Sequence, residues 1–192
     1  EFAVPSLRSL ATSTHKIIAV VTQPDKPKGR SKIPCPSPVK EAARELGLEI
    51  MQPVNVNEET FVKQLQCLAP DCIVVVAFGQ FLSIPIINLP GYRCINIHAS
   101  LLPKLRGAAP INWAIIQGER ITGVTSVVMT AKMDAGDIIA QKTTPIFPGE
   151  NAGELEKRLA SMGAELLIDT LNRIETGNAT YTKQDEKEVT FA

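Results

Sequence analysis

The sequence predicts an α/β fold with a mostly parallel central sheet flanked by helices. Two observations carry that expectation. Short apolar runs rich in β-branched residues alternate with segments of helical periodicity along the whole chain. One of these runs, residues 72–77 (CIVVVA), contains no polar side chain, as suits a strand buried on both faces of a parallel sheet. With 192 residues, 44% of them hydrophobic and 21% charged, the chain can bury a core of one domain spanning 1–192.

The elements follow in order. Residues 5–14 have a helical pattern, and residues 17–22 (IIAVVT) read as a strand. Ser37 and Pro38 supply an N-cap and a first-turn proline; Val39, Ala42, Ala43 and Leu46 form the apolar stripe, and Gly47 stops the helix. Asn57 is expected to cap a second helix, with Glu58 and Glu59 in its first turn and Phe61, Val62, Leu65 and Leu68 on its buried face, ended by Pro70. Further strands are expected at 72–77, 92–97, 123–129 and 137–146, and a helix at 108–117. Asn151 and Glu154 form a capping-box pattern that opens a long amphipathic helix to about residue 174. Residues 181–185 are expected to form an edge strand. The chain enters its first helix without a preceding strand, where a βαβ unit would supply one, so the opening strand is expected to lie outside this sequence.

Bulk properties exclude several classes. The net charge is zero, so any nucleic-acid contact must come from local charge. Cys35, Cys67, Cys72 and Cys94 are scattered without metal-ligand spacing, which predicts reduced thiols in a cytosolic protein and no metal. No apolar run reaches the ~18 residues that span a membrane, and no signal peptide is visible.

The chemistry concentrates in residues 94–103 (CINIHASLLP). Residues i and i+2 of a strand point to one side, so Asn96 and His98 project together near a strand's C-terminal end, where open α/β sheets bind ligands. An amide N–H beside an imidazole can hold and protonate an oxygen that becomes negative when a carbonyl is attacked. A core histidine bonded to backbone, with Asn96 as a turn former, is the plainer alternative. Asp134, in the turn MDAGD (133–137), is the third group: a carboxylate near His98 would orient the ring. There is no Gly-x-Ser-x-Gly motif and no cysteine neighbouring a histidine, so the attacking group is expected to belong to the substrate.

Residues 96–119 (NIHASLLPKLRGAAPINWAIIQGE) and 123–137 (GVTSVVMTAKMDAGD) resemble the formyltransferases that use 10-formyltetrahydrofolate, with Asn-x-His, a Ser-Leu-Leu-Pro loop and a later Asp-x-Gly. Residues 1–7, 20–30, 36–48, 106–111 and 133–139 are similar to the branch of that family acting on methionyl-tRNA. The resemblance implies a Rossmann-like domain in the cytosol or an organelle matrix, acting as a monomer. It would pass formyl from 10-formyltetrahydrofolate, as cosubstrate, to the α-amino group of methionine on initiator tRNA. The alternatives are a related enzyme formylating a small or nucleotide-linked amine, and a non-catalytic RNA-binding module. By position, Asn96 would bind the formyl oxygen, His98 would donate to the oxyanion and move a proton, and Asp134 would support His98 with an ordered water. Ser100, Leu101, Leu102 and Pro103 would form the folate loop, with a cis peptide before Pro103, and Phe78 and Gly79 would line the pterin pocket, although Phe78 could equally be core. Lys26, Lys28, Arg30 and Lys32 would reach the tRNA acceptor arm, a plain solvated loop being the alternative. Arg106 would face the acceptor end or act as scaffold. Two family parts are expected to lie outside this sequence: the opening strand with its Gly-Thr-Pro, and a C-terminal β-barrel that helps bind tRNA.

Overall fold

The computed structural model describes residues 1–27 and 33–192. The chain begins with helix α1 (Val4–Ala11), strand β1 (Val20–Val21) and a two-stranded pair, β2 (Lys26–Pro27) and β3 (Pro34–Cys35). Helix α2 (Pro38–Glu45), strand β4 (Ile50–Met51), helix α3 (Glu59–Leu68), strand β5 (Ile73–Val75) and the short helix α4 (Ile84–Ile87) follow. Strand β6 (Cys94–His98), helix α5 (Pro110–Ile116), strands β7 (Ile121–Val128) and β8 (Ile138–Pro145), and helix α6 (Ala152–Glu175) complete the order.

Helices and strands alternate as the periodicity requires. The parallel pairings are β1 with β4 (Val20 opposite Ile50) and β5 with β6 (Ile73 opposite Cys94). The sheet then changes direction: β6 pairs antiparallel with β7, and β7 with β8, so its second half is not the parallel array that the sequence led us to expect. Strands β7 and β8 are joined without a crossover helix, which suits their antiparallel pairing; β6 and β7 run antiparallel although α5 lies between them. Residues 72–77 yield a strand of only three residues, all half-buried, because β5 lies at the end of the β5-β6-β7-β8 order. Residues 181–185 contribute a single bridge, in which Thr182 and Ile138 exchange backbone hydrogen bonds of 2.8 Å.

The main core lies between β6–β7 and α6. Ile95, Ile97 and Val124 meet Leu155, Leu159, Leu167 and Leu171; each such leucine removed from water stabilises the fold by roughly 1.5–3 kcal/mol. Helix α6 comes close to the sheet at Gly163, where an added Cβ would stand 3.0 Å from Ile97 Cγ2. The predicted capping box starts this helix: Asn151 Oδ1 accepts from Glu154 N at 3.1 Å, and Glu154 Oε2 accepts from Asn151 N at 3.0 Å. Ser37 caps α2 as expected, accepting from Lys40 N at 3.1 Å. Asn57 does not cap α3, whose N-cap is Glu58. Its amide instead donates to Phe81 O (2.8 Å) and accepts from Ser83 N (2.7 Å), tying the start of α3 to the loop before α4.

Candidate active site

Alternation along β6 splits its side chains between two faces. Ile95 and Ile97 enter the α6 core, while Asn96 and His98 open onto a cavity of about 520 Å³ on the opposite face. The cavity lies at the C-terminal ends of the parallel pair β5–β6, the usual ligand position in such sheets. Phe78 and Gly79 from the loop after β5, residues 107–112 and residues 127–134 also line it.

Three polar side chains converge there. Asn96 Nδ2 donates to Asp134 Oδ1 at 3.3 Å. His98 Nδ1 lies 3.6 Å from Asp134 Oδ2, at ion-pair rather than hydrogen-bond distance. His98 Nε2 is 2.8 Å from the carbonyl oxygen of Leu105. A carbonyl only accepts, so Nε2 carries the hydrogen and Nδ1 is the ring atom on the side of Asp134. In the neutral ring Nδ1 is therefore a base; once protonated it is a donor. The second oxygen of Asp134 also accepts from the Gly107 N–H at 3.0 Å. Both His98 and Asp134 are well shielded, with side chains 6% and 13% exposed.

The Asp134 turn is built by close backbone approach. Asp134 itself adopts φ 49°, in the left-handed region. Gly136 passes so near β7 that an added Cβ would fall 1.8 Å from Val128 O, so no other residue fits there. Gln184 closes the turn from outside: its Nε2 donates to Asp134 O (2.7 Å) and Gly136 O (2.8 Å).

The other expected site residues divide. The peptide between Leu102 and Pro103 is cis. Yet Ser100, Leu101, Leu102 and Pro103 do not line this cavity. Their polar groups are used inside the protein: Ser100 Oγ donates to Lys104 O (2.6 Å), Ser100 O accepts from Thr125 Oγ1 (2.7 Å), and Leu102 O accepts from Gln141 Nε2 (2.9 Å). The loop leads into Leu105, whose carbonyl oxygen stands 2.8 Å from His98 Nε2. Of the two roles open to Arg106, facing the acceptor end or scaffold, its contacts favour scaffold: it is 4% exposed, and its guanidinium donates to Gln184 Oε1 (3.0 and 2.8 Å) and Glu186 Oε1 (3.1 Å). Lys26 is exposed and its ammonium donates to Gln23 Oε1 at 2.9 Å. Lys28, Arg30 and Lys32 lie outside the described residues. Sequence reasoning passed over the Leu105 carbonyl, the Gly107 N–H and Gln184. Two of these are main-chain groups without a sequence signature, and the third is one polar residue in a polar segment.

Fold and cluster together define an α/β domain that places an amide, an imidazole and a carboxylate where its parallel strands end. A family model described as formyl transferase matches residues 2–171. The chain belongs to the formyl transferase family. Methionyl-tRNA formyltransferase of Citrifermentans bemidjiense is 46% identical over all 192 residues, which cover 60% of that protein. The protein of the same name from Alkaliphilus metalliredigens is 49% identical, with 100% of this chain and 61% of that one covered. This chain thus spans about three fifths of the length of the curated relatives it matches. Among solved structures, glycinamide ribonucleotide transformylase 1 of Symbiobacterium toebii has the same fold, with TM-score 0.73, 20% identity, and 95% of this chain and 90% of that chain covered.

Proposed function

We propose that this chain carries the formyl-transfer centre of a methionyl-tRNA formyltransferase, moving formyl from 10-formyltetrahydrofolate to the α-amino group of methionine on initiator tRNA. The observation that carries the reading is the meeting of Asn96, His98 and Asp134 in one cavity wall. Identity of 46–49% along the whole chain to proteins of that name supports the choice of acceptor.

In this reading the substrate amine attacks the formyl carbon directly. The new C–N bond pushes an electron pair onto the formyl oxygen, which the Asn96 amide holds by an N–H not used on Asp134. His98 Nδ1 takes the proton that the amine loses. The imidazolium so formed faces Asp134 and offers its Nδ1–H to the oxyanion. As the intermediate collapses, the bond from formyl carbon to the donor's N10 breaks, and that nitrogen recovers a proton from His98. One formamide and one tetrahydrofolate leave, and His98 is neutral again. Phe78 and Gly79, which line the same cavity, meet the donor's ring in this reading. The basic segment with Lys26, Lys28, Arg30 and Lys32 supplies cations for tRNA phosphates. Residues 1–192 serve here as the formyl-transferring domain.

The test is transfer of labelled formyl from 10-formyltetrahydrofolate to methionyl-initiator tRNA, glycinamide ribonucleotide and an amino-sugar nucleotide in parallel. Formylation of the tRNA alone is expected. A preference for either small amine would replace the acceptor, and no transfer to any of the three would end the enzymatic reading.

A further inference from the structure

Asp134 adopts φ 49°, in the left-handed region that non-glycine residues enter chiefly where local contacts support it. We propose that Gln184 is a positioning residue for formyl transfer: it fixes the Asp134 turn, and through it the distance from Asp134 to His98 and Asn96. The proposal rests on the functional reading above.

Gln184 is half-buried within an otherwise exposed run, 181–188. A primary amide has two N–H donors and a carbonyl with two lone pairs, and here all four are used. The N–H groups reach Asp134 O at 2.7 Å and Gly136 O at 2.8 Å. The carbonyl accepts from Arg106 Nε at 3.0 Å and Nη2 at 2.8 Å. Arg106 precedes Gly107, whose N–H holds Asp134 Oδ2 at 3.0 Å. The contacts therefore close a ring from the Asp134 main chain through Gln184 and Arg106 back to the Asp134 carboxylate. Two further bonds fix the same corner: Arg106 N donates to Thr190 O (2.9 Å), and Leu105 N donates to Thr190 Oγ1 (2.9 Å), steadying the carbonyl that accepts from His98. Only a primary amide, Gln or the shorter Asn, combines two N–H donors with a carbonyl of two lone pairs. Gln184 lies beyond residue 171, where the family match ends.

Gln184→Glu separates this role from simple bracing. It keeps an acceptor for Arg106 but turns an oxygen toward two carbonyls. We expect kcat for methionyl-tRNA formylation to fall about 10- to 100-fold, with KM for donor and acceptor within about twofold of wild type. If Gln184 only anchored the tail to Arg106, Gln184→Glu would retain wild-type kcat, and that result overturns the proposal. A second measurement needs no turnover: hydrogen exchange of the Gly107 amide, which is expected to quicken at least about tenfold in Gln184→Glu or in Gln184→Met. Unchanged exchange in folded variants overturns the proposal. Faster exchange in a protein whose wild type transfers no formyl sustains the positioning role and ends the functional reading instead. Thermal unfolding of each variant establishes that it folds, and Gln184→Met carries the exchange test should Gln184→Glu not fold.

Discussion

Asn96 has two N–H bonds and spends one on Asp134 Oδ1 at 3.3 Å. The other is the donor best placed for an oxygen that turns negative on His98's side of the cavity. Its removal is therefore a loss felt in the transition state. Asn96→Ala is expected to lower kcat about 10²–10³-fold in the formyl-transfer assay, and a variant within a few-fold of wild type would remove Asn96 from the oxyanion role. His98 is expected to be equally intolerant, for a different reason. The Leu105 carbonyl fixes its tautomer, so a replacement must both occupy the ring's space and offer a basic atom at the position of Nδ1. At this scale the sequence was highly legible. Alternation along a five-residue strand puts Asn96 and His98 on one side whatever the tertiary contacts. Asp134 was legible only as a candidate, because its distance to His98 depends on the register of β6 and β7, in which Asn96 stands opposite Val127. Arg106 could be read only as two alternatives, because the sequence does not show that the folded tail brings Gln184 and Glu186 to its guanidinium.

Among the elements, the β7–β8 connection matters most to the cluster. Gly136 lets it approach β7 where an added Cβ would meet the Val128 carbonyl at 1.8 Å. Backbone cannot yield as a side-chain end can, so Gly136→Ala is expected to destabilise the protein by about 3 kcal/mol in urea unfolding. Gly47→Ala, at φ 66° with nothing within 4 Å of the new carbon, should cost only the backbone penalty of about 1–2 kcal/mol. Equal losses in the two variants would contradict the close approach. Elements with self-contained signals, such as α2 with its Ser37 cap and α6 with its capping box, could be read from the sequence to within a residue or two. Asn57 could not, because two distant main-chain groups, Phe81 O and Ser83 N, compete for the amide that would otherwise cap α3. The antiparallel turn of the sheet also escaped the pattern: an apolar run looks alike whichever way its neighbour travels.

Across the whole molecule, a charge cluster at the base of the basic segment ties early elements to the cavity wall. Asp25 accepts from Gln52 Nε2 at 2.8 Å and, through both oxygens, from the buried Lys40 ammonium at 2.7 Å. Hydrogen bonds from Gln52 and then Lys40 hold its carboxyl below the usual aspartate value. Gln52 also donates to Gln23 O (2.8 Å), and Gln23 Nε2 donates to Phe78 O (3.0 Å) at the cavity. A carboxyl whose folded pKa is depressed contributes stability above its unfolded pKa, and that contribution is lost as the pH falls through the lower folded value. Glu150, held low chiefly by its hydrogen bonds from Arg158, has the same sign. Unfolding free energy is therefore expected to decline on acidification below about pH 5, and Asp25→Asn should flatten part of that decline. Parallel curves for wild type and Asp25→Asn would show that Asp25 takes no part in it.

Among the described residues the named strands and helices end with α6 at Glu175, but the corner that holds Asp134 does not. The polypeptide doubles back so that Gln184, Glu186 and Thr190 grip residues 105, 106 and 134. Ending the polypeptide just after α6 would thus spare the helices and the main sheet while unlatching the aspartate, yielding a protein with near-native far-ultraviolet circular dichroism and a crippled turnover.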